Sequence, residues 1–153
     1  MTEFSPGDII EIETPNGLAY LQVTHRHSSY PEVVRVLPGL HASPSKDLSG
    51  LTSRKTAFTV MIPLGGAIGQ KRITGRKVGA AAIPASDRAF PTFKMAIRDK
   101  RGAIAYWWFW DGDSLRYDES PGPEANAMEQ REVMTADALM ARIAAMEDAP
   151  ALS

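Results

Sequence analysis

The stretch that decides the fold is GDIIEIETPNGLAYLQVTH, residues 7–25. Isoleucine alternates with glutamate over residues 10–13, which is the period-two pattern of a strand with one buried face. Pro15 presets φ at the first turn position and Asn16-Gly17 tolerates positive φ, so the chain reverses here. The remainder, with a small or apolar residue at every second position, reads as the returning strand. We therefore predict an antiparallel hairpin.

Strand and turn signals of the same kind predict further elements along the rest of the chain. Strands are predicted at 33–37, 57–63 and, as a second hairpin across residues 100–102, at 93–99 and 103–110, with a short closing strand at 115–117. Residues 38–53 read as a connection with one helical turn after Ser45, residues 65–82 as a loop around a weak strand near 68–74, and residues 83–92 as a loop. Thr135 is an N-cap candidate for an amphipathic helix over 136–147.

These elements predict a mainly-β fold of the β-rich α+β type. We expect a single antiparallel sheet, curled or forming a partly open barrel, with the C-terminal helix packed across one face or opening. The chain has 153 residues, enough to bury a core, and no convincing linker divides it. We therefore predict one domain over residues 1–153 with an ordered core of about residues 5–147.

Composition and charge exclude several classes of protein. Hydrophobic content of 44% and charged content of 23% are ordinary globular values. The absence of cysteine excludes disulfides and thiolate chemistry and suits a reducing compartment. The first residues resemble no signal peptide and no apolar run approaches the roughly 20 residues that cross a bilayer, so we expect a soluble cytoplasmic protein without membrane contact. A net charge of −1 argues against nucleic acid as a partner.

The charge is nevertheless distributed unevenly along the chain. Residues 1–110 carry 14 Lys/Arg against 8 Asp/Glu, whereas residues 111–153 carry 3 against 10. The acidic end either folds back over the basic body or serves as a partner-binding tail.

The densest feature is the aromatic run Tyr106-Trp107-Trp108-Phe109-Trp110. On a strand, Tyr106, Trp108 and Trp110 share one face with Ile104, and Trp107 and Phe109 share the other. Five such side chains represent on the order of 1,000 Å², more than a soluble monomer exposes in one patch. The strand is therefore either central and covered on both faces, or half of an interface. The binding residues we predict are Trp107, Phe109, Trp110, Asp111 and Asp113.

Chemical motifs give no positive signal for an enzyme. His25 and His27 alternate on a strand end and could share a metal ion, but no third ligand is fixed by spacing, and a pair of exposed histidines explains them. Asp111-Gly112-Asp113 resembles the start of a cation-binding loop, but a turn is enough to explain these three residues. We expect no cofactor and no resident metal.

The opening Gly7-Asp8 strand, the Pro15-Asn16-Gly17 turn and Tyr20 resemble the start of small bacterial proteins grouped as immunity protein 26. Trp110-Asp111-Gly112 and the helix around residues 141–143 are similar to that family's C-terminal end. The resemblance covers roughly residues 1–25 and, more loosely, 106–146. It implies a mainly-β protein that neutralises a cognate toxin by binding it, without catalysis of its own.

The sequence thus predicts a non-catalytic protein-binding module whose partner is another protein, on the resemblance a toxin. A homodimer formed through the aromatic face is an alternative use of the same strand. The second functional class is a small enzyme or metal-dependent binder with a pocket between the aromatic strand and the first hairpin.

Overall fold

A computed structural model describes residues 4–119, 121–123, 125, 128–129 and 133–146. They fall into two compact units, Met1–Arg88 with Val133–Ser153 and Ala89–Glu132. We call these the five-stranded unit and the three-stranded unit and describe each by itself. One domain over 1–153 stays a prediction. In the part of the chain that is described, no helix combines the length and apolar character needed to cross a bilayer.

The five-stranded unit is built on the predicted hairpin. Its strands are β1 (Asp8–Thr14), β2 (Gly17–His25), β3 (Val33–Val36), β4 (Phe58–Met61) and β5 (Gly75–Ala80), in the order β4-β3-β2-β1-β5. Every neighbouring pair is antiparallel. Gly17 has φ +140°, and a Cβ there would lie 2.9 Å from the carbonyl oxygen of His41, so this turn position admits only glycine without strain.

One face of this sheet carries the main apolar core. It contains the alternating residues that the sequence predicts, among them Ile10, Ile12, Leu21 and Val23. The helix α3 (Ala136–Ala144) packs on this face through Leu139 and Ile143, both fully buried. The predicted C-terminal helix is confirmed over residues 136–144. It ends there, with Ala145 as its C-cap, so the predicted helix at 145–146 is wrong, and position 147 lies outside the described residues.

The opposite face of the sheet carries a smaller apolar cluster and several buried polar groups. The helix α1 (Leu48–Thr52) covers part of it, with Asp47 as its N-cap, which confirms the helical turn predicted after Ser45. Glu11, Gln22 and Arg35 are buried on this face, although the alternation of residues 10–13 would leave Glu11 in water.

The region 64–82 differs from the prediction. It contains a short helix, α2 (Leu64–Gly69), and then β5 rather than a strand at 68–74. Leu64 and Ala67 enter the main core, and this burial overrides the low helix propensity of the glycines between and after them. β5 forms because its backbone pairs with the edge of β1, a partner about 65 residues away that no local pattern reveals.

The three-stranded unit contains β6 (Phe93–Arg98), β7 (Ile104–Trp110) and β8 (Leu115–Asp118) in the order β6-β7-β8. The aromatic strand β7 is therefore the central strand of its sheet, and the hairpin predicted across residues 100–102 is confirmed. A mainly-β, antiparallel fold with a C-terminal helix is confirmed as well. Its strands form two open sheets, whereas we expected one.

Candidate functional site

The strand register of the three-stranded unit collects apolar side chains on one face of its sheet. Tyr106 is opposite Ile97, and Trp108 lies between Met95 on β6 and Tyr117 on β8. Directly opposite residues in an antiparallel pair point to the same side. We call the surface formed by these side chains and by Leu115 the aromatic face: Met95, Ile97, Tyr106, Trp108, Leu115 and Tyr117.

Three rings of the aromatic face pack against one another. The ring centroids of Tyr106 and Trp108 are 6.2 Å apart, those of Tyr106 and Tyr117 5.9 Å, and those of Trp108 and Tyr117 5.8 Å, all in edge geometry. Tyr117 is 63% exposed and Leu115 is 52% exposed, while Tyr106 and Trp108 are half-buried. The three rings thus pack against one another and still leave Tyr117 and Leu115 open to solvent.

One end of this face is closed. Phe90 packs edge-on against Trp110 at 5.3 Å and against Phe93 at 6.3 Å, and both of these rings are buried. Gly112 permits this packing, since a Cβ there would lie 2.7 Å from the Phe90 ring. The closed end anchors the strand that carries Tyr106 and Trp108.

The other side of β7 is also covered, by cations. The guanidinium of Arg116 lies 4.5 Å from the centre of the buried Phe109 ring, and the Lys94 ammonium lies 5.5 Å from that of Trp107. Lys94 also donates from Nζ to the carbonyl oxygen of Ala125 at 2.9 Å, and from its backbone N–H to that of Glu129. These contacts leave the Trp107 ring half-buried.

The acidic residues predicted for binding lie in the turn between β7 and β8. The carboxylate of Asp111 accepts hydrogen bonds from the backbone N–H groups of Asp113 and Ser114 and from the Ser114 hydroxyl. The Ser114 and Asp113 amides, in that order, lower the pKa of Asp111 below its ordinary value. Asp111 therefore stabilises the turn, and the side chain of Asp113 is exposed.

The structure sorts the five predicted binding residues into different environments. Phe109 and Trp110 are interior, Trp107 is half-buried on the covered side, and Asp111 and Asp113 lie at the turn. Their role in binding stays a prediction. Tyr117 was missed because residues 115–117 carry only a weak strand signal, and its place beside Trp108 follows from pairing with β7.

The two histidines proposed as weak metal ligands have other contacts. His25 donates from Nε2 to the carbonyl oxygen of Arg88 at 2.8 Å, and its Nδ1 is 2.9 Å from Thr24 Oγ1. His27 accepts through Nδ1 from the backbone N–H of Ser29 at 3.0 Å. Within the described residues, no group of three or more His, Asp or Glu side chains is placed to hold a metal ion.

The carboxylate of Glu11 is held in a buried network on the polar face of the larger sheet. It accepts from Tyr20 Oη at 2.8 Å and from Arg76 Nε at 3.4 Å. Burial raises the pKa of Tyr20, the Ser45 amide opposes this shift and Glu11 adds to it, so the phenol stays protonated and donates. The network joins β1, β2 and β5 and is explained by their packing.

A cavity of about 440 Å³ opens beside α2 and the start of α3 in the five-stranded unit. Its described lining is mainly apolar, with Gln70 and Arg72 as the polar side chains other than Thr135. It therefore offers one cation and, in that lining, no carboxylate or imidazole for acid–base chemistry. The aromatic face is the stronger candidate site.

Comparison of the chain with protein-family models, with curated proteins and with solved structures finds no match.

Proposed function

We propose that this protein is a non-catalytic protein-binding module that binds its partner through the aromatic face. The observation that carries the proposal is the packed cluster of Tyr106, Trp108 and Tyr117, with Tyr117 63% exposed. Tyrosine and tryptophan are enriched at the centres of protein interfaces, because they bury a large area and have few rotatable bonds to immobilise.

The setting of the cluster favours binding with little loss of conformational freedom. Trp108 lies on the central strand, and the buried rings of Phe93 and Trp110 fix the end of that strand. A surface that is already ordered before it meets its partner loses less entropy on association than a loop would. The aromatic face therefore resembles a preformed docking surface.

Immunity to a toxin is the specific form of binding that we propose. The Gly7-Asp8 strand with its Pro15-Asn16-Gly17 turn and the Trp110-Asp111-Gly112 segment resemble the immunity protein 26 family. Under this proposal the protein is bacterial and works in the cytoplasm, a reducing compartment that suits a chain without cysteine. It would hold a toxin in a stable complex without turnover.

The test of binding is affinity capture from a lysate of the source organism with three forms of the protein. These are the natural chain, Trp108→Ala on the aromatic face, and Val133→Ala as a control, because Val133 is an exposed apolar residue of the other unit. We expect one protein to be recovered with the natural chain and with Val133→Ala. With Trp108→Ala its dissociation constant should rise about 30-fold, as for a central tryptophan of an interface.

Two results would contradict the binding proposal: repeated recovery of nothing, or equal affinity for all three forms. The immunity form is tested separately by expressing the recovered partner in cells. Growth arrest that is relieved by the natural chain, and less by Trp108→Ala, supports it. A partner that leaves growth unchanged would exclude a toxin and retain only the binding module.

A further inference from the structure

The backbone N–H and C=O groups of β8 point alternately towards β7 and towards the outer edge of the sheet. Asp111 donates from its backbone N–H to the carbonyl oxygen of Ser114 at 3.3 Å, which makes this a hydrogen-bonded pair. Such pairs alternate along an antiparallel ladder, so the peptide groups of Arg116 and Asp118 face β7. Those of Leu115 and Tyr117 then face away from it.

A second hydrogen bond indicates the same alternation of inward and outward peptide groups along β8. On the far edge of the sheet, Lys94 donates from its backbone N–H to Glu129, so the peptide group of Lys94 points away from β7. Phe109 is opposite Lys94 and must then bond towards β8, as its pairing with Arg116 requires. The β6 edge is occupied at Lys94, whereas among the described residues no strand pairs with the outer edge of β8.

We propose that this edge of β8 pairs with β8 of a second copy of the chain. The two strands run antiparallel about a twofold axis perpendicular to the sheet and join two three-stranded sheets into one of six strands. Because the axis is perpendicular to the sheet, the same side of each copy faces the same way, and the two aromatic faces become neighbours on one side of the six-stranded sheet. The inference does not depend on the proposed function, because it concerns the edge of the sheet rather than its face.

The charges of β8 select the register of this pairing. A twofold axis of this kind places one residue opposite its own copy, which gives four registers for this strand, centred on each of the residues Leu115–Asp118. Two of them place Arg116 opposite Arg116 or Asp118 opposite Asp118, and like charges directly opposite are destabilising. The register centred on Leu115 sets Arg116 opposite Ser114 and gains no charge pair. The register centred on Tyr117 sets Arg116 opposite Asp118 twice, so it is the one that opposite charges stabilise.

Hydrogen bonding is compatible with this register. Tyr117 has its peptide N–H and C=O directed outward, so two copies of it can exchange both bonds. Arg116 and Asp118 then form the closer, non-hydrogen-bonded pairs, in which side chains approach best. The pairing also places the two Tyr117 side chains, the most exposed large apolar side chains of this sheet, next to each other on one face. The edge is thus complementary to itself, which is why we assign a second copy as its occupant.

The contact is small, because β8 is four residues long. Interfaces of this size are weak, and we expect a dissociation constant of roughly micromolar order. Sedimentation velocity over a range from about 1 to about 500 μM should therefore show a monomer that converts to a dimer.

Charge exchange across the edge is the decisive experiment. Arg116→Asp alone and Asp118→Arg alone each turn two attractive pairs into repulsive ones and should weaken self-association about tenfold. The double variant Arg116→Asp/Asp118→Arg should restore it. A mixture of the two single variants should form the mixed dimer in preference to either homodimer, which also shows that both single variants are folded.

A backbone variant tests the edge independently of charge. Tyr117→Pro removes the outward N–H while the bonds to β7, made by Arg116 and Asp118, remain, so dimers should be lost. Tyr117→Ala is its matched control, because it removes the ring and keeps the N–H, and should retain part of the association. Trp108→Ala should leave the dimer intact, which separates this inference from partner binding through the aromatic face.

Three outcomes would overturn the edge dimer. They are a monomer at every concentration, a dimer that is unaffected by the charge variants and by Tyr117→Pro, and a dimer that Trp108→Ala abolishes while Tyr117→Pro does not. The last would indicate association through the aromatic face itself.

Discussion

Arg35 donates from Nε to the side-chain oxygen of Gln22 at 2.8 Å, and neither residue has exposed surface. The same guanidinium donates to the carbonyl oxygens of Thr52 at 2.7 Å and Arg54 at 3.3 Å, and lies 4.0 Å from the Asp87 carboxylate. Burial lowers the pKa of Arg35 and Asp87 raises it, yet a guanidinium remains charged at any ordinary pH. One buried cation thus ties the sheet to the segments that cover it.

We predict that Arg35→Met lowers the free energy of unfolding by about 3 kcal/mol, because it leaves buried acceptors without their donor. Arg72→Met is the control, since that side chain is exposed, and should change stability by less than about 0.5 kcal/mol. Urea unfolding followed by far-ultraviolet circular dichroism measures both. An Arg35→Met protein as stable as the control would show that the network contributes nothing.

The link between Arg35 and Gln22 can be measured directly. Gln22→Leu alone leaves the Arg35 Nε–H without its acceptor, so it should be costly by itself. Because the same bond is lost in either single variant, the double variant Gln22→Leu/Arg35→Met should lose at least about 0.5 kcal/mol less than the sum of the two. Additive losses would mean that the two side chains act independently.

Two glycines of the three-stranded unit form a matched pair for a test of packing. Gly102 has φ +84° and a Cβ there would meet nothing within 4 Å, whereas Gly112 has φ +93° and a Cβ would meet the Phe90 ring. Gly102→Ala should cost only backbone strain, about 1–2 kcal/mol. Gly112→Ala should cost a further ~1–3 kcal/mol, because Phe90 must leave Trp110.

Tryptophan fluorescence is the measurement for this pair, since all three tryptophans lie on β7 and report on this sheet. When Phe90 is first replaced by alanine, Gly112→Ala should lower the free energy of unfolding by little more than Gly102→Ala does, because the ring that the new Cβ would meet is gone. Equal losses for the two glycine variants would contradict the proposed role of Phe90.

The elements that could be predicted are those whose signals are local. The β1–β2 hairpin and α3 follow from alternation, a turn with Gly17 and an N-cap at Thr135, all within short windows of sequence. β5 could not be predicted, since its pairing partner β1 is distant. Arg35 interrupts a β-branched run and has no local signal that its charge is buried.

The candidate surface shows the same division between local and distant information. Alternation placed Tyr106, Trp108 and Trp110 on one face, and the register of β6 and β7 confirms that arrangement. Which of these rings remain exposed depends on Phe90, which covers Trp110, and on the pairing that brings Tyr117 next to Trp108. Both contacts join residues from separate segments, so neither could be read from the pattern of β7.

The N-cap of α3 gives a further prediction of stability. Thr135 Oγ1 accepts the backbone N–H of Ala138 at 3.1 Å, and the helix it caps packs Leu139 and Ile143 into the main core. Thr135→Ala should therefore lower the free energy of unfolding by about 1 kcal/mol. Thr135→Ser retains the hydroxyl and should restore most of this loss; if serine were as destabilising as alanine, the cap would not be the cause.

His41 makes the stability of the five-stranded unit depend on pH. Its ring packs edge-on against Tyr20 at 5.1 Å, and burial, followed by the charge of Arg54, lowers the pKa of His41 below its ordinary value of 6.5. The folded protein thus binds this proton less readily than the unfolded chain does. The contribution to stability is complete above pH 6.5 and is lost as the pH falls through the folded pKa.

Urea unfolding between about pH 5 and pH 7.5 measures this dependence. His41→Gln should flatten the slope of unfolding free energy against pH, because glutamine does not titrate. The natural chain, measured in the same buffers, is the reference for this slope. The pKa of His41 is also directly observable, because its ring protons titrate in the nuclear magnetic resonance spectrum, and a midpoint above 6.5 would reverse the sign of the prediction.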